Sequence, residues 1–139
     1  MPAATTCDEL KKIASDFINA LAGPNQVDFD PTEARALVTE DLSVSHDSYP
    51  PTEGAEKFLS GWAKAKQFMP GFRMEAVDMI AEVDASGAGG AVWIFHKVSG
   101  GRGGEKDSVD MISINREGKV WKTKDVQRIR SGENRSGEA

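Results

Sequence analysis

The sequence predicts a single α+β domain in which three helices precede a run of strands. Before Gly71, apolar residues recur at every third or fourth position in three separate segments, which is the period of a helix. After Gly71, apolar and polar residues alternate, which is the period of a strand. This order is typical of an antiparallel sheet that carries its helices on one side. With 139 residues, 39% of them hydrophobic, the chain can build one core.

Each predicted helix has recognisable end signals. In TTCDELKKIASDFINALAG, Thr6 and Glu9 can form a capping box ahead of an apolar stripe. DPTEARALVTE begins with Asp30 as N-cap and a proline at the first helical position. TEGAEKFLSGWAKAKQFMPG places Trp62 on its apolar side and stops at Pro70. We therefore expect three helices on one face of the sheet.

The remaining segments read as strands and the loops between them. In FRMEAVDMIAEVD the apolar face switches near the middle, which predicts a β-bulge. GGAVWIFHKV, SVDMISIN and KVWKTKDVQRI follow as further strands, and SGGRGG is interpreted as a hairpin loop. LSVSHDSYPP, between the second and third helices, is a short strand-like piece that runs into a loop. We assign residues 1–130 to one domain and expect the polar tail, 131–139, to be disordered.

Composition argues against several classes of protein. Seventeen Lys and Arg against 22 Asp and Glu give a net charge of −5, without the basic cluster that nucleic-acid binding needs. The single cysteine, Cys7, cannot form an internal disulfide, and no Cys and His cluster has metal-ligand spacing. Neither a signal core nor a membrane-spanning run is present. We expect a cytoplasmic domain that uses no metal, cofactor, nucleic acid or membrane.

Asp110 is the residue in this pattern that calls for an explanation. In SVDMISINREGKV it falls on the same strand face as Ile112 and Ile114. Burying an unpaired carboxylate is costly. Either the strand begins at a wet edge of the sheet, or the protein keeps Asp110 in an apolar pocket for chemistry.

The order of elements resembles the nuclear transport factor 2-like superfamily, which includes ketosteroid isomerase and SnoaL-like polyketide cyclases. The resemblance rests on the bent long strand and on the ending VDMISINREGKVWKTKDV, with Asp110, two alternating isoleucines and the turn at 118–120. It implies a cone-shaped, curved antiparallel sheet with the three helices packed on its concave face, enclosing an apolar pocket. Members of this superfamily isomerise, cyclise, dehydrate or only bind, so the fold alone does not choose a function.

The same resemblance suggests roles for individual residues. Asp110 matches the protonated aspartic acid of the isomerase's oxyanion hole, and an ungapped count puts His46 at the general base, with Asp47 there after a one-residue slip. Asp125 falls among pocket-lining positions. Phe17 stands where the isomerase has its oxyanion tyrosine, so that donor is missing. Loss of one such donor costs about 3 to 4 kcal/mol of transition-state stabilisation, which makes a steroid isomerase a poor candidate.

The register of the two strands around SGGRGG decides which side chains join Asp110 in the pocket. A turn centred on residues 102 and 103 places Asp110 opposite Phe95, so that Trp93 and Phe95 line the pocket with it. A loop that differs by one residue would put Ile94 and His96 there. We favour the first register, in which His96 lies on the other face, at an interface or in solvent.

Together these features predict a cofactor-free isomerase, cyclase or dehydratase that acts on a small hydrophobic carbonyl compound by general acid–base catalysis. The candidate catalytic residues are His46, Asp47, Asp110 and Asp125. The candidate substrate-binding residues are Phe17, Tyr49, Trp62, Trp93 and Phe95. The alternative is a noncatalytic domain that binds a small ligand or a protein partner. Because Val92, Trp93, Ile94 and Phe95 are apolar on both strand faces, we also expect a homodimer through the sheet.

Overall fold

The computed structural model describes residues 6–23, 29–47, 49–101 and 103–129, and within these ranges the chain folds as an α+β unit. In chain order the elements are α1 (Cys7–Ala22), α2 (Pro31–Ala36), β1 (Val38–His46), β2 (Thr52–Glu53), α3 (Ala55–Phe68), β3 (Arg73–Val83), β4 (Gly90–Ser99), β5 (Lys106–Ile114) and β6 (Val120–Ile129). The expected α+β class with three helices beside a curved sheet is confirmed. The tail expected to be disordered lies outside the described residues.

Local signals that were expected from the sequence form the helix ends. Thr6 and Glu9 make the reciprocal capping box of α1. Asp30 accepts a hydrogen bond from the backbone of Glu33 at the start of α2. Helix α2 is shorter than expected, because Val38 already belongs to β1 and pairs with Val120. A β-branched residue is favoured in a strand over a helix, and the pairing supplies its backbone with a partner.

The six strands form one sheet in the order β2-β1-β6-β5-β4-β3. All neighbours are antiparallel except β1 and β6, which run parallel. This parallel pair departs from the purely antiparallel sheet that the sequence suggested. Between β1 and β6 the chain passes through β2, α3, β3, β4 and β5, which gives the long crossover that a parallel pair needs.

A β-bulge lies in β3 between Ala76 and Asp78, as the switch of its apolar face predicts. Helix α1 packs against β3 and β4, and α3 packs against β1. The core between helices and sheet is built by Leu10, Phe17, Leu42, Phe58, Ile94 and Ile112, among others. Helices on one side only leave the opposite face of the sheet uncovered within the described residues.

The register between β4 and β5 is the one that we did not favour. Ile94 is paired with Asp110, and His96 with Ser108. Val98 and Lys106 are the last pair before the loop, and seven residues, 99 to 105, connect them. The register that we favoured needs an even number of loop residues, so the observed pairing differs from it by one position. His96 therefore shares the inner face with Asp110, and Trp93 and Phe95 point outward.

None of the helices in the described ranges is long and apolar enough to cross a membrane.

Candidate active site

A cavity of about 430 Å³ lies between α1, α3 and the inner face of the sheet. This volume is in the range of small-molecule sites. Its walls are mostly apolar, with aromatic rings from both helices and from the loop before β3. The aromatic residues that line it are Phe17, Phe58, Trp62 and Phe72. Phe17 stacks on Phe58 at 5.9 Å, and Trp62 meets Phe72 edge to face at 5.6 Å, so these walls are held by packing.

The carboxylates of the cavity come from the inner faces of β5 and β6. Asp110 and Asp125 are directly opposite each other in the antiparallel register. Alternation along β6 also turns Thr123 and Gln127 toward the cavity. The sheet therefore brings two carboxylates together on one wall of an otherwise apolar space.

His46 and Asp125 form the first histidine–carboxylate pair of the site. His46 ends β1, beside Asp125 on the parallel strand β6, and its Nδ1 is 2.7 Å from Oδ1 of Asp125. The hydrogen bond to Asp125 raises the pKa of His46 above its usual value, although partial burial works in the opposite direction. With Nδ1 engaged by the carboxylate, Nε2 is the nitrogen that can exchange a proton with a ligand.

Asp110 forms the second pair, with His96. Nδ1 of His96 is 2.6 Å from Oδ2 of Asp110, and the hydroxyl of Ser108 donates to the same oxygen at 3.1 Å. His96 is only 1% exposed and Asp110 7% exposed. Because Oδ2 carries both contacts, Oδ1 is the oxygen of Asp110 that remains for a ligand in the cavity.

These contacts change the role expected for Asp110. Oδ2 of Asp110 is already engaged by His96 Nδ1 and by the Ser108 hydroxyl, so this oxygen is not free to donate to a substrate. Ser108 also donates to the carboxyl rather than accepting from it. A carboxyl group that accepts from Ser108 and is held by His96 fits the role of an acceptor better than the donor suggested by the resemblance.

Two of the other candidate residues stand beside the cavity rather than in it. The side chain of Asp47 is not part of the wall; instead its backbone N–H donates to the main-chain oxygen and to Oδ1 of Asp125, at 2.9 and 3.2 Å. Tyr49 is 68% exposed and stacks on the His46 ring at 5.8 Å. Both residues therefore act on the orientation of the His46–Asp125 pair.

Trp93 and Phe95 do not line the cavity, and the expectation that they do is wrong. They are 47% and 37% exposed on the outer face of β4. The cause is the one-residue difference in the hairpin register, which turns Ile94 and His96 inward instead. Phe17, Trp62, His46, Asp110 and Asp125 do line it.

Three functional candidates were missed or misplaced by reasoning from the sequence. His96 was placed on the outer face, although the alternative hairpin register would have found it. Lys57 on α3 and Lys106 at the start of β5 both line the cavity. The sequence contained a sign of this for Lys106, which lies two and four positions before Ser108 and Asp110 and therefore on the same strand face.

Within the described ranges, no three His, Cys, Asp or Glu side chains are grouped so that they could hold a metal ion.

Comparison with solved structures gives the fold class. A SnoaL-like protein of unknown function from Burkholderia thailandensis E264 superposes with a TM-score of 0.69 at 15% identity, over 88% of this chain and 98% of the other. A proposed SnoaL-like polyketide cyclase from Jannaschia sp. CCS1 superposes with a TM-score of 0.70 at 12% identity, over 96% and 94%. The Orange Carotenoid Protein of Anabaena (Nostoc) sp. PCC 7120, in a structure binding canthaxanthin, matches with a TM-score of 0.64 at 18% identity; this chain covers 37% of it.

No family model and no curated protein matches the sequence. The solved structures show that the chain has the same fold as SnoaL-like proteins, so the fold expected from the sequence is confirmed. At these identities the likeness concerns the fold alone.

Proposed function

We propose that the cavity is the active site of an enzyme that moves protons on a small hydrophobic carbonyl compound without a cofactor. One observation carries this proposal. Asp110 and Asp125 face each other on neighbouring strands, and each is held by its own histidine through a short hydrogen bond, on the wall of an apolar cavity. Paired titratable groups in different surroundings are the usual basis of acid–base catalysis.

Asp110 is the base in this proposal. Its Oδ1 removes a proton from the carbon next to the substrate's carbonyl group. The electron pair of that C–H bond forms a C=C bond to the carbonyl carbon, and the π electron pair of the C=O bond moves onto the oxygen. The hydrogen bonds from His96 and Ser108 to Oδ2 hold the carboxylate in place. His96 thus acts as a positioning residue, because it contacts Asp110 and is not part of the cavity wall.

His46 is the acid. Its raised pKa favours the imidazolium form near neutral pH, and Asp125 compensates that charge. Nε2 donates its proton to the oxygen that becomes negative, which gives an enol and a neutral imidazole. In the return step the imidazole takes this proton back and Asp110 delivers the other proton to a carbon, so the catalyst is regenerated.

This assignment exchanges the roles that the sequence suggested for His46 and Asp110. The exchange follows from the contacts of Asp110, whose Oδ2 is engaged by His96 and Ser108. It also makes His46 the hydrogen-bond donor to the enolate oxygen, a role that Phe17 cannot fill because its side chain has no polar atom. Isomerisation, cyclisation and dehydration all can begin with this first proton removal, and the proposal covers these three reaction types.

Exchange of carbon-bound protons tests the proposal without knowledge of the natural substrate. In D₂O, the protein should accelerate loss of the α-proton signals of 2-tetralone or of other hydrophobic ketones in a panel, followed by ¹H NMR. Asp110→Asn and His46→Gln should each reduce the exchange rate at least about 100-fold, since general acid–base groups contribute factors of this order. Asp78→Asn, at an exposed carboxylate on β3, is the matched control.

Exchange no faster than in buffer for the whole panel would contradict the enzymatic proposal. Equal rates for the wild type and both active-site variants would contradict the assignment of residues.

The alternative is a noncatalytic domain that binds a small ligand. The likeness to part of the Orange Carotenoid Protein supports it, since that neighbour was solved binding canthaxanthin. Under this alternative, hydrophobic ketones would bind in the cavity with no exchange of their protons. Calorimetry of the same panel therefore separates the two functions.

We also propose that the outer face of the sheet joins a second copy of the chain, and that the protein works in the cytoplasm. Exposed apolar side chains from four strands support the first point, and such patches usually mark interaction sites. The second rests on the single cysteine, which suits a reducing compartment.

A further inference from the structure

Charges are unevenly distributed along the cavity. On β5 the inner-face residues run from Lys106 through Ser108 and Asp110 to Ile112. Lys106 is half-buried beside the glycine-rich loop, whereas Asp110 is buried. The two residues are four positions apart along the strand, which is about 13 Å at 3.3 Å per residue. The cavity therefore has a cationic end and an end with two carboxylates.

The two cavity lysines have no anionic partner among the described side chains. Lys57 and Lys106 take part in none of the ion pairs that the described residues form. The cavity carboxylates are engaged with histidines instead, Asp125 with His46 and Asp110 with His96. In a chain with a net charge of −5, unpaired cations in the wall of an apolar cavity are available for a ligand.

The cavity also leaves space around Lys106. Gly104, which has no side chain, lines it there together with Val98, and no heavy atom lies within 4 Å of the place where its side chain would begin. Lys106 is also close enough to His46 to lower the pKa of that imidazole by charge repulsion, although the bond to Asp125 outweighs this effect. The ammonium group of Lys106 thus faces the same space as the proposed acid.

We propose that the ligand of this cavity is an apolar acid, whose hydrophobic body contacts the aromatic walls and whose carboxylate is bound by Lys106, with Lys57 as a second cation on the opposite wall. This builds on the proposed function by naming its substrate class. In the reverse orientation the ligand's carboxylate would lie beside that of Asp110, and like charges in a partly buried site repel each other strongly.

Matched acid and amide probes test this inference by isothermal titration calorimetry. We would use 1-naphthylacetate with 1-naphthylacetamide, and decanoate with decanamide, because each pair differs only in charge and polar head. The wild type should bind each acid more tightly than its amide, and salt should weaken only the acids. Lys106→Met should weaken acid binding about tenfold, as expected for a hydrogen bond to a charged group, and amide binding less than twofold.

Lys97→Met is the control, because Lys97 is exposed on the outer face of β4 and should leave all four affinities unchanged. Lys57→Met should have a smaller effect than Lys106→Met, and Lys106→Gln repeats the main test with a polar side chain. Equal affinities for acid and amide, equal weakening of both by Lys106→Met, or no binding of either pair would overturn the inference.

The experiments distinguish failure of the proposed substrate class from failure of the proposed function. Asp110→Asn should abolish proton exchange in 2-tetralone while acid binding persists. Tight acid binding without any exchange would contradict catalysis only. Exchange in the wild type with equal affinity for acids and amides would contradict the substrate class only.

Discussion

Asp110 and Asp125 lie directly opposite each other on β5 and β6, yet each carboxylate is hydrogen-bonded to a different histidine. The His46–Asp125 pair is partly exposed at the edge of the cavity, and the His96–Asp110 pair is buried. Two pairs of the same chemistry therefore meet different solvent environments. Such a difference lets one carboxylate act as a base while the neighbouring pair supplies an acid.

The pKa of His46 should lie above its usual value of about 6.5 in the folded protein and fall to that value or below in Asp125→Asn. Removing the Asp125 carboxylate leaves partial burial and Lys106, which lower the pKa, against the charge of Asp47, which raises it by less than burial lowers it. Titration of the imidazole signals by NMR measures this directly, and the chain has only two histidines to distinguish. An unchanged pKa in Asp125→Asn would contradict the role of Asp125.

Stability and activity should depend on pH through the same group. Because folding raises the pKa of His46, the stabilisation by its ion pair is complete below the unfolded pKa and is lost as the pH rises through the folded one. The effect is small for a half-exposed pair. Proton exchange in 2-tetralone should decrease over that same rise, since His46 is the acid. An increase instead would show that His46 is the base, as the sequence suggested.

Breaking the buried pair should destabilise the fold. His96→Leu leaves the carboxylate of Asp110 buried with only Ser108, and Asp110→Leu leaves the His96 imidazole without its partner. Each change should cost about 3 kcal/mol or more in the free energy of unfolding, and the double variant less than the sum. Urea unfolding of the four proteins gives the coupling energy. Strict additivity would mean that the two side chains do not depend on each other.

The sequence predicted the elements of this fold because their signals are local. The capping box at Thr6 and the N-cap at Asp30 are made by residues three positions apart, and the bulge near Ala76 is visible as a switch in alternation. Asp110 also stood out locally, as a carboxylate on an apolar strand face. These features need no knowledge of which strands pair.

The parts that could not be predicted depend on pairing between distant segments. A difference of one residue in the loop between Val98 and Lys106 decides whether His96 or Phe95 lies on the same sheet face as Asp110. The glycine-rich sequence of this loop fits several turn geometries. The parallel pairing that brings His46 to Asp125 joins segments 79 residues apart. For the same reason no local pattern showed that Asp110 is hydrogen-bonded to His96.

Gly61 on α3 offers a way to close the cavity without disturbing the fold. It lines the cavity, and a Cβ built on it has no heavy atom within 4 Å. Gly61→Ala should therefore stabilise the protein by about 0.5 to 1 kcal/mol, the usual gain from Gly to Ala inside a helix. Gly61→Phe should fold and lose ligand binding in calorimetry. Full binding by a folded Gly61→Phe would contradict the location of the site.

The outer face of the sheet should determine the oligomeric state. Ile80, Trp93 and Met111 form one cross-strand row, and Phe95, Val109 and Val126 form the next, with five of the six exposed by more than a third of their surface. Apolar rows on neighbouring strands bury a continuous surface when two sheets pack face to face. We therefore expect a dimer at micromolar concentration in sedimentation velocity experiments.

Phe95→Lys should convert that dimer to a monomer, because it places a charge at the centre of the apolar rows, where it would be desolvated in the interface. Phe68→Lys makes the same chemical change at an exposed position at the end of α3, away from the sheet, and should sediment as the wild type does. A wild-type protein that sediments as a monomer, or equal behaviour of the two variants, would contradict assembly through this face. Retention of proton exchange by monomeric Phe95→Lys would also show that each chain contains a complete site.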